Sequence, residues 1–182
     1  KAALGAAGDV SDDERAWLSG ALSTDVAAWK AEFGAVVDAT GLETEQNALR
    51  YQAVPVTVRV EDAAPLHAVR VLAAGLRTGA SITVSTAREL PASVTAWLRA
   101  AGVTVAVEND TVWTARAARL AQTGGRIRLI GGDLADTAAR TGGSPAVAVY
   151  GNPVLSAGRI EMLTFLREQA VSISAHRFGT PR

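Results

Sequence analysis

Between residues 54 and 150 the sequence alternates short β-branched runs with amphipathic stretches, and nothing else in it constrains the fold as much. Residues 54–60 alternate Val, Arg and Thr as a strand, and 62–76 follow as a helix with Pro65 in its first turn, where a missing amide proton costs nothing. Strands are then expected at 81–86, 103–107, 126–130 and 146–150. Helices are expected at 92–101, with Trp97 and Leu98, at 111–121, with Trp113, Ala117 and Leu120, and at 134–140. Strands joined this way, through helices and short loops, lie parallel, because each connection has to cross back over the sheet. The expected class is therefore α/β: a Rossmann-like open parallel sheet with helices on both faces.

The flanks read differently. Ser11 and Glu14 have capping-box spacing, Trp17 and Leu18 give a short helix its apolar side, and Gly20 is expected to close it. Ser23 or Thr24 would cap a second helix carrying Val26, Trp29 and Phe33 and ending at Gly34. Residues 35–53 have weak periodicity and read as an ordered connection. After Gly151-Asn152-Pro153, residues 159–169 show helical spacing through Ile160, Met162, Leu163 and Leu166, and 171–175 alternate as a strand of a small C-terminal β-flap. The organisation expected is a helical N-terminal segment or linker at 1–50, a Rossmann-like core at 51–150, and a flap and tail at 151–182.

Composition removes several functions. The 182 residues are 48% hydrophobic, enough to bury a core, and 18 basic side chains balance 18 acidic ones. That balance argues against an electrostatic nucleic-acid binder or a polybasic membrane surface, and no apolar run approaches the roughly 20 residues that span a bilayer. With no cysteine there is no disulfide, cysteine-rich zinc site or thiolate nucleophile. With only His67 and His176, a multi-histidine metal centre is impossible. The start at Lys1 without Met, and the lack of a signal-peptide hydrophobic stretch in 1–10, suggest a piece of a longer protein.

No motif for chemistry stands out. The first strand is followed by Glu61-Asp62-Ala63-Ala64 where a dinucleotide fold needs G-x-G-x-x-G, and acids there would repel a pyrophosphate. No G-x-S-x-G elbow occurs. The glycine pairs at 124–125, 131–132 and 142–143 read as tight turns. Asp12-Asp13-Glu14 and Glu61-Asp62 stand at helix starts, where carboxylates offset the macrodipole. His67 reads as structural, within a helix among apolar neighbours. Arg126 and Arg128 share one face of a strand, either pairing with acids or gripping a phosphate. Arg159, Glu161, Arg167 and Glu168 dress the tail helix with mixed signs, as a solvated or interface face. Ala175-His176-Arg177-Phe178-Gly179 concentrates groups that serve interfaces more often than catalysis.

Two segments resemble the aldehyde dehydrogenase superfamily. Leu76-Arg77-Thr78-Gly79-Ala80-Ser81-Ile82-Thr83-Val84-Ser85, with Pro91 following, is similar to the family's G-N-T-V-V-x-K-P-S-E-x-T-P, and Arg126-Ile127-Arg128-Leu129-Ile130-Gly131-Gly132 resembles its strand ending in F-T-G-S. The stretch Glu45-Gln46-Asn47-Ala48-Leu49-Arg50-Tyr51 and the tail from Ser156 to Pro181 resemble the C-terminal domain of long proline utilization A proteins, the tail being the specific part. The match runs from about residue 25 to the end. Ser85 stands where that resemblance puts a ribose-binding lysine, Arg88 where it puts a glutamate, and Asp133 follows the Gly131-Gly132 turn. The nucleophilic cysteine is absent, and only a short stretch separates Gly132 from the last core strand, with no room for a catalytic domain.

The resemblance implies a noncatalytic module of a bifunctional bacterial, cytoplasmic enzyme that oxidises proline to glutamate. This segment would have no catalytic, cofactor-binding or metal-binding residues, with FAD and NAD bound elsewhere in the parent. Its expected partner is the dehydrogenase domain of the same polypeptide, on which the flap would pack to seal the substrate-channelling path, in a parent that could be a homo-oligomer. Arg159, Glu161, Phe165, Arg167, Gln169, His176, Arg177 and Phe178 are the interface candidates, since arginine and aromatic side chains anchor interfaces disproportionately. The alternatives are a nucleotide-binding regulatory module using Arg126 or Arg128, and an oligomerisation domain.

Overall fold

The computed structural model describes residues 1–174. Strands β3 (Val56–Val60), β4 (Ile82–Thr86), β5 (Thr104–Val107), β6 (Gly125–Ile130) and β7 (Val147–Tyr150) form a five-stranded sheet in the order β5-β4-β3-β6-β7. Every neighbouring pair in it is parallel. The strands are connected through helices α3 (Pro65–Thr78), α4 (Ala92–Ala100), α5 (Asp110–Thr123) and α6 (Leu134–Arg140), as the alternation in the sequence requires. Central β3 is buried at every position. Its Val56, Val58 and Val60 pack with Val84 of β4, Val69 and Leu72 of α3, and Val94 and Leu98 of α4. On the opposite face Trp113 and Ala117 of α5 pack on Ile127 and Val147.

Helices α1 (Ala2–Ala6) and α2 (Asp12–Ala28) cover the α3–α4 side. The capping box forms as expected: the Glu14 amide donates to Ser11 Oγ, and the Ser11 amide donates to Glu14 Oε2 at 2.9 Å. Gly20 does not end the helix. It costs about 1 kcal/mol relative to alanine in a helix interior, but Leu18, Ala21 and Asp25 on the buried side continue to dock, and the helix runs on to a π-helical turn at Trp29–Phe33.

A second sheet contains β1 (Val37–Asp38), β2 (Glu45–Ala53) and β8 (Leu166–Ser174), all antiparallel, in the order β1-β2-β8. Here two expectations are corrected. Residues 45–53 are a nine-residue strand, where weak periodicity suggests only an ordered connection. The tail helix α7 (Gly158–Leu163) stops well before residue 169, because Phe165 turns into the core and Leu166 onward pairs with β2, from Ala53↔Leu166 to Glu45↔Ser174. Both strands are polar and have only partly covered faces, so little hydrophobic period is written into them. The flap that the sequence suggests at 171–175 is therefore longer, and its root lies against Phe33, Met162 and Leu166. No helix among the described residues is long and apolar enough to cross a membrane.

Candidate functional site

In an open parallel sheet a ligand site forms at the carboxyl ends of the strands where the strand order reverses. Here that point lies between β3 and β6. A cavity of about 470 Å³ opens there, lined by Asp62 and His67 from the β3–α3 turn, by Gly131 and Gly132 after β6, and by Asn152 and Pro153 after β7.

The two turns that flank this point close on one another. Gly131 has φ 73°, and a Cβ placed on it would lie 2.4 Å from the Asp62 carbonyl oxygen. A Cβ on Gly132 would lie 2.8 Å from Leu129 Cδ1 and Glu61 Cγ. The approach that bare glycines usually offer a ligand is taken up by the chain's own backbone. The first turn of α3 has no side-chain cap, and its Pro65 has no amide proton to offer an anion. Asp133 caps α6, accepting from the Asp136 amide at 2.9 Å, which places a carboxylate at the helix start beside the Gly131-Gly132 turn.

On the α5 face of the sheet, outside the lining of the crevice, lies an ion network. Arg59, buried on β3, donates through Nε to Glu61 Oε1 at 2.7 Å and through Nη1 to Ser85 Oγ at 2.8 Å and the Glu108 carbonyl at 3.1 Å. Its guanidinium lies 4.9 Å from the centre of the Trp113 ring. Ser85 in turn donates to Glu108 Oε2 at 2.7 Å, and Arg116 Nε reaches both Glu108 oxygens at 3.0 and 2.9 Å. The hydrogen bonds from Arg116 hold the Glu108 carboxyl below its ordinary range, against the opposing effect of burial. This network goes unread in the sequence, although a signal for it exists: alternation places Arg59 inside a fully buried strand, and a buried charge must have partners.

Arg126 and Arg128 share a face, as alternation dictates, and both are engaged within the chain, although buried Arg128 Nη2 has no hydrogen-bond partner among the described residues. Arg126 Nη1 donates to the carbonyls of Thr164 at 2.9 Å and Leu166 at 2.7 Å. Arg128 Nε donates to Glu161 Oε1 at 2.8 Å with both side chains inaccessible, and its Nη1 donates to the carbonyls of Leu129, Tyr150 and Asn152. Glu161 Oε2 accepts from the Leu155 amide.

Glu161, read from sequence as a solvated or interface side chain, is thus an internal anchor. Phe165 is fully buried against Gly75 and Ile82, so it serves the chain's own core. Arg159 is exposed and pairs with Glu32, with Nε–Oε2 at 2.7 Å. Exposed Arg167 donates to Gln52 Oε1, and Gln169 Oε1 accepts from Arg50 Nε, both contacts joining β8 to β2. His176, Arg177 and Phe178 lie outside the described residues. His67 lies in α3, exposed in its first turn at the crevice rather than mid-helix among apolar neighbours; its ring meets Trp17 edge-on at 6.1 Å between centroids.

No protein-family model matches the chain, and neither does any curated protein. Solved structures do. Proline utilization A from Corynebacterium freiburgense matches at 29% identity and TM-score 0.60, over 93% of this chain and 15% of that one. Gamma-glutamyl phosphate reductase from Thermotoga maritima matches at 18% identity and TM-score 0.55, over 77% of this chain and 36% of that one. Betaine aldehyde dehydrogenase from Staphylococcus aureus matches at 12% identity and TM-score 0.53, over 75% and 29%. The chain thus spans a minor part of each protein's length. Over most of its length the chain is similar to a segment of proline utilization A, and it shares its fold with parts of the reductase and the betaine aldehyde dehydrogenase.

Proposed function

We propose that this chain is a noncatalytic module of a bifunctional proline-catabolic protein. In that reading its flap packs on the dehydrogenase domain of the same polypeptide and seals the route along which the intermediate passes between active sites. The parent would carry FAD and NAD on its other domains and work in the cytoplasm. The observation that carries the reading is how the chain occupies its own glycine turn beside the crevice: a Cβ on Gly131 would lie 2.4 Å from the Asp62 carbonyl oxygen, and the nearby arginines are bound to Glu61, Glu108, Glu161 and backbone carbonyls. The outer flap supports it from another side, since Val36, Val37, Leu42 and Ile173 are exposed around it and would gain by being covered.

The test is a titration of the chain with NAD and with NADH, followed by tryptophan fluorescence and melting temperature. No saturable response is expected up to millimolar ligand. A binder at about 100 times its dissociation constant would be stabilised by roughly 2.7 kcal/mol, and such a shift would replace this reading with a nucleotide-binding module. The sealing role is tested in the parent by deleting the domain and trapping released intermediate; unchanged release would remove it.

A further inference from the structure

None of the residues lining the crevice lines a second, larger depression on the helical side. An open groove of about 540 Å³ runs between α1, α2, α3 and α4. Ala3 and Ala73 give it a buried floor, half-buried Leu22, Leu76 and Trp97 line it, and Val26 is 48% exposed within it. Two cations, Lys1 and Arg77, complete the lining. No carboxylate lines it, and neither cation forms an ion pair among the described residues. A cation in the last turn of α3 offsets the helix dipole, which accounts for Arg77 but not for the apolar wall beside it.

We propose that this groove docks an amphipathic helix with an acidic polar face, supplied by a protein partner. Small side chains on the floor let a helix approach closely, and its apolar residues at i, i+3, i+4 and i+7 would lie along Leu22, Val26, Leu76 and Trp97. Acidic residues flanking that stripe meet Arg77 and Lys1, while a basic helix meets two unpaired like charges and is rejected. The groove is open along its length rather than enclosed, which suits a rod-shaped occupant better than a small molecule. This surface is independent of the flap and of the noncatalytic reading above.

The test uses a fluorescein-labelled leucine–glutamate model helix and a leucine–lysine twin, each titrated onto the full chain by anisotropy at low and high salt. The acidic helix is expected to bind, more weakly at high salt, and to change the emission of Trp97, an effect lost in Trp97→Phe. The basic twin is expected not to bind. Arg77→Gln and Val26→Gln, both at exposed positions, should each weaken binding severalfold, with the melting temperature falling by no more than the small helix-dipole contribution lost at Arg77. Equal binding of the two peptides, binding of neither, or indifference to Arg77→Gln would overturn the proposal. So would binding of octanoate at Trp97 without binding of the helix, which would assign the groove to a small carboxylate.

Discussion

The buried arginines Arg59, Arg70 and Arg128 are internal fasteners. Arg70 is inaccessible and grips Asp25 with two bonds of 2.9 Å, while its Nε donates to the Leu155 carbonyl. Arg128, equally inaccessible, holds Glu161 through one bond, Nε to Oε1 at 2.8 Å. Taking two charges out of water offsets much of their attraction, so such a pair adds little net stability, but removing one partner strands the other. Arg128→Met is therefore expected to destabilise by about 3–5 kcal/mol in urea unfolding, and Arg128→Met with Glu161→Leu to recover most of that loss. A double variant no better than the single one would show that the pair is not the origin of the loss. A second residue-scale prediction concerns acid. Asp38 Oδ1 accepts from the Gly41 amide at 3.1 Å and the Thr40 hydroxyl at 2.8 Å, and Oδ2 accepts from the Asn47 amide at 3.0 Å. These bonds lower its carboxyl from 3.8 to about 2. Because the folded value is the lower one, the support is complete above the ordinary value and is lost as pH falls through about 2. The protection of the Gly41 and Asn47 amides, taken relative to their unstructured exchange rates at each pH, should fall over that window, and Asp38→Asn should abolish that fall.

At the scale of elements, the sequence is legible wherever burial on one face imposes a period. The βαβ strands and helices follow from the alternation of Val58, Val69, Val84 and Leu98 toward one core, and the helix starts at Ser11 and Pro65 follow from capping chemistry. The nine residues of β2 carry no such period, since their order comes from β8, more than a hundred residues later in the chain, and no local pattern encodes that pairing. The ion network near the crevice was half legible: the acids after Val60 and the serine at 85 could be read, but not that Arg59 would join Glu61, Ser85 and Glu108 from β3 to the residue before the α5 cap. Gly20 and Gly75 show what sequence alone cannot separate. Both are helix glycines, but nothing lies within 4 Å of a Cβ at Gly20, whereas one at Gly75 would meet Phe165 Cε1 at 2.6 Å and Ile82 Cδ1 at 2.7 Å. Gly20→Ala should stabilise by up to about 1 kcal/mol through helix propensity. Gly75→Ala should instead destabilise by about 1–3 kcal/mol, because two buried side chains must move. Thermal melts of the two variants should shift in opposite directions, and matching shifts would mean that the packing around Phe165 is looser than the structure shows.

The whole molecule is bound together by contacts that cross its sequence segments. Asp25 of α2 meets Arg70 of α3, Arg70 reaches the Leu155 carbonyl, and Thr24 Oγ1 both donates to the Ser156 carbonyl at 2.7 Å and accepts from the Gly158 amide at 2.9 Å. α7 approaches α2 so closely that a Cβ on Gly158 would lie 2.5 Å from the Asp25 backbone nitrogen. Arg126 and Arg128 then tie the parallel sheet to α7 and the start of β8. The first 50 residues, the central sheet and the tail therefore share their buried polar groups, and losing one segment would leave charges uncompensated in the others. Cooperative unfolding follows from that sharing. Trp29 at the flap root and Trp113 against the central sheet supply local reporters, and in variants keeping only one of them their fluorescence transitions in urea should coincide with each other and with the loss of helix by circular dichroism. A Trp29 transition at distinctly lower urea than that of Trp113 would mean that the flap and its helices melt as a separate unit, and that the buried Asp25–Arg70 and Arg128–Glu161 pairs do not couple them.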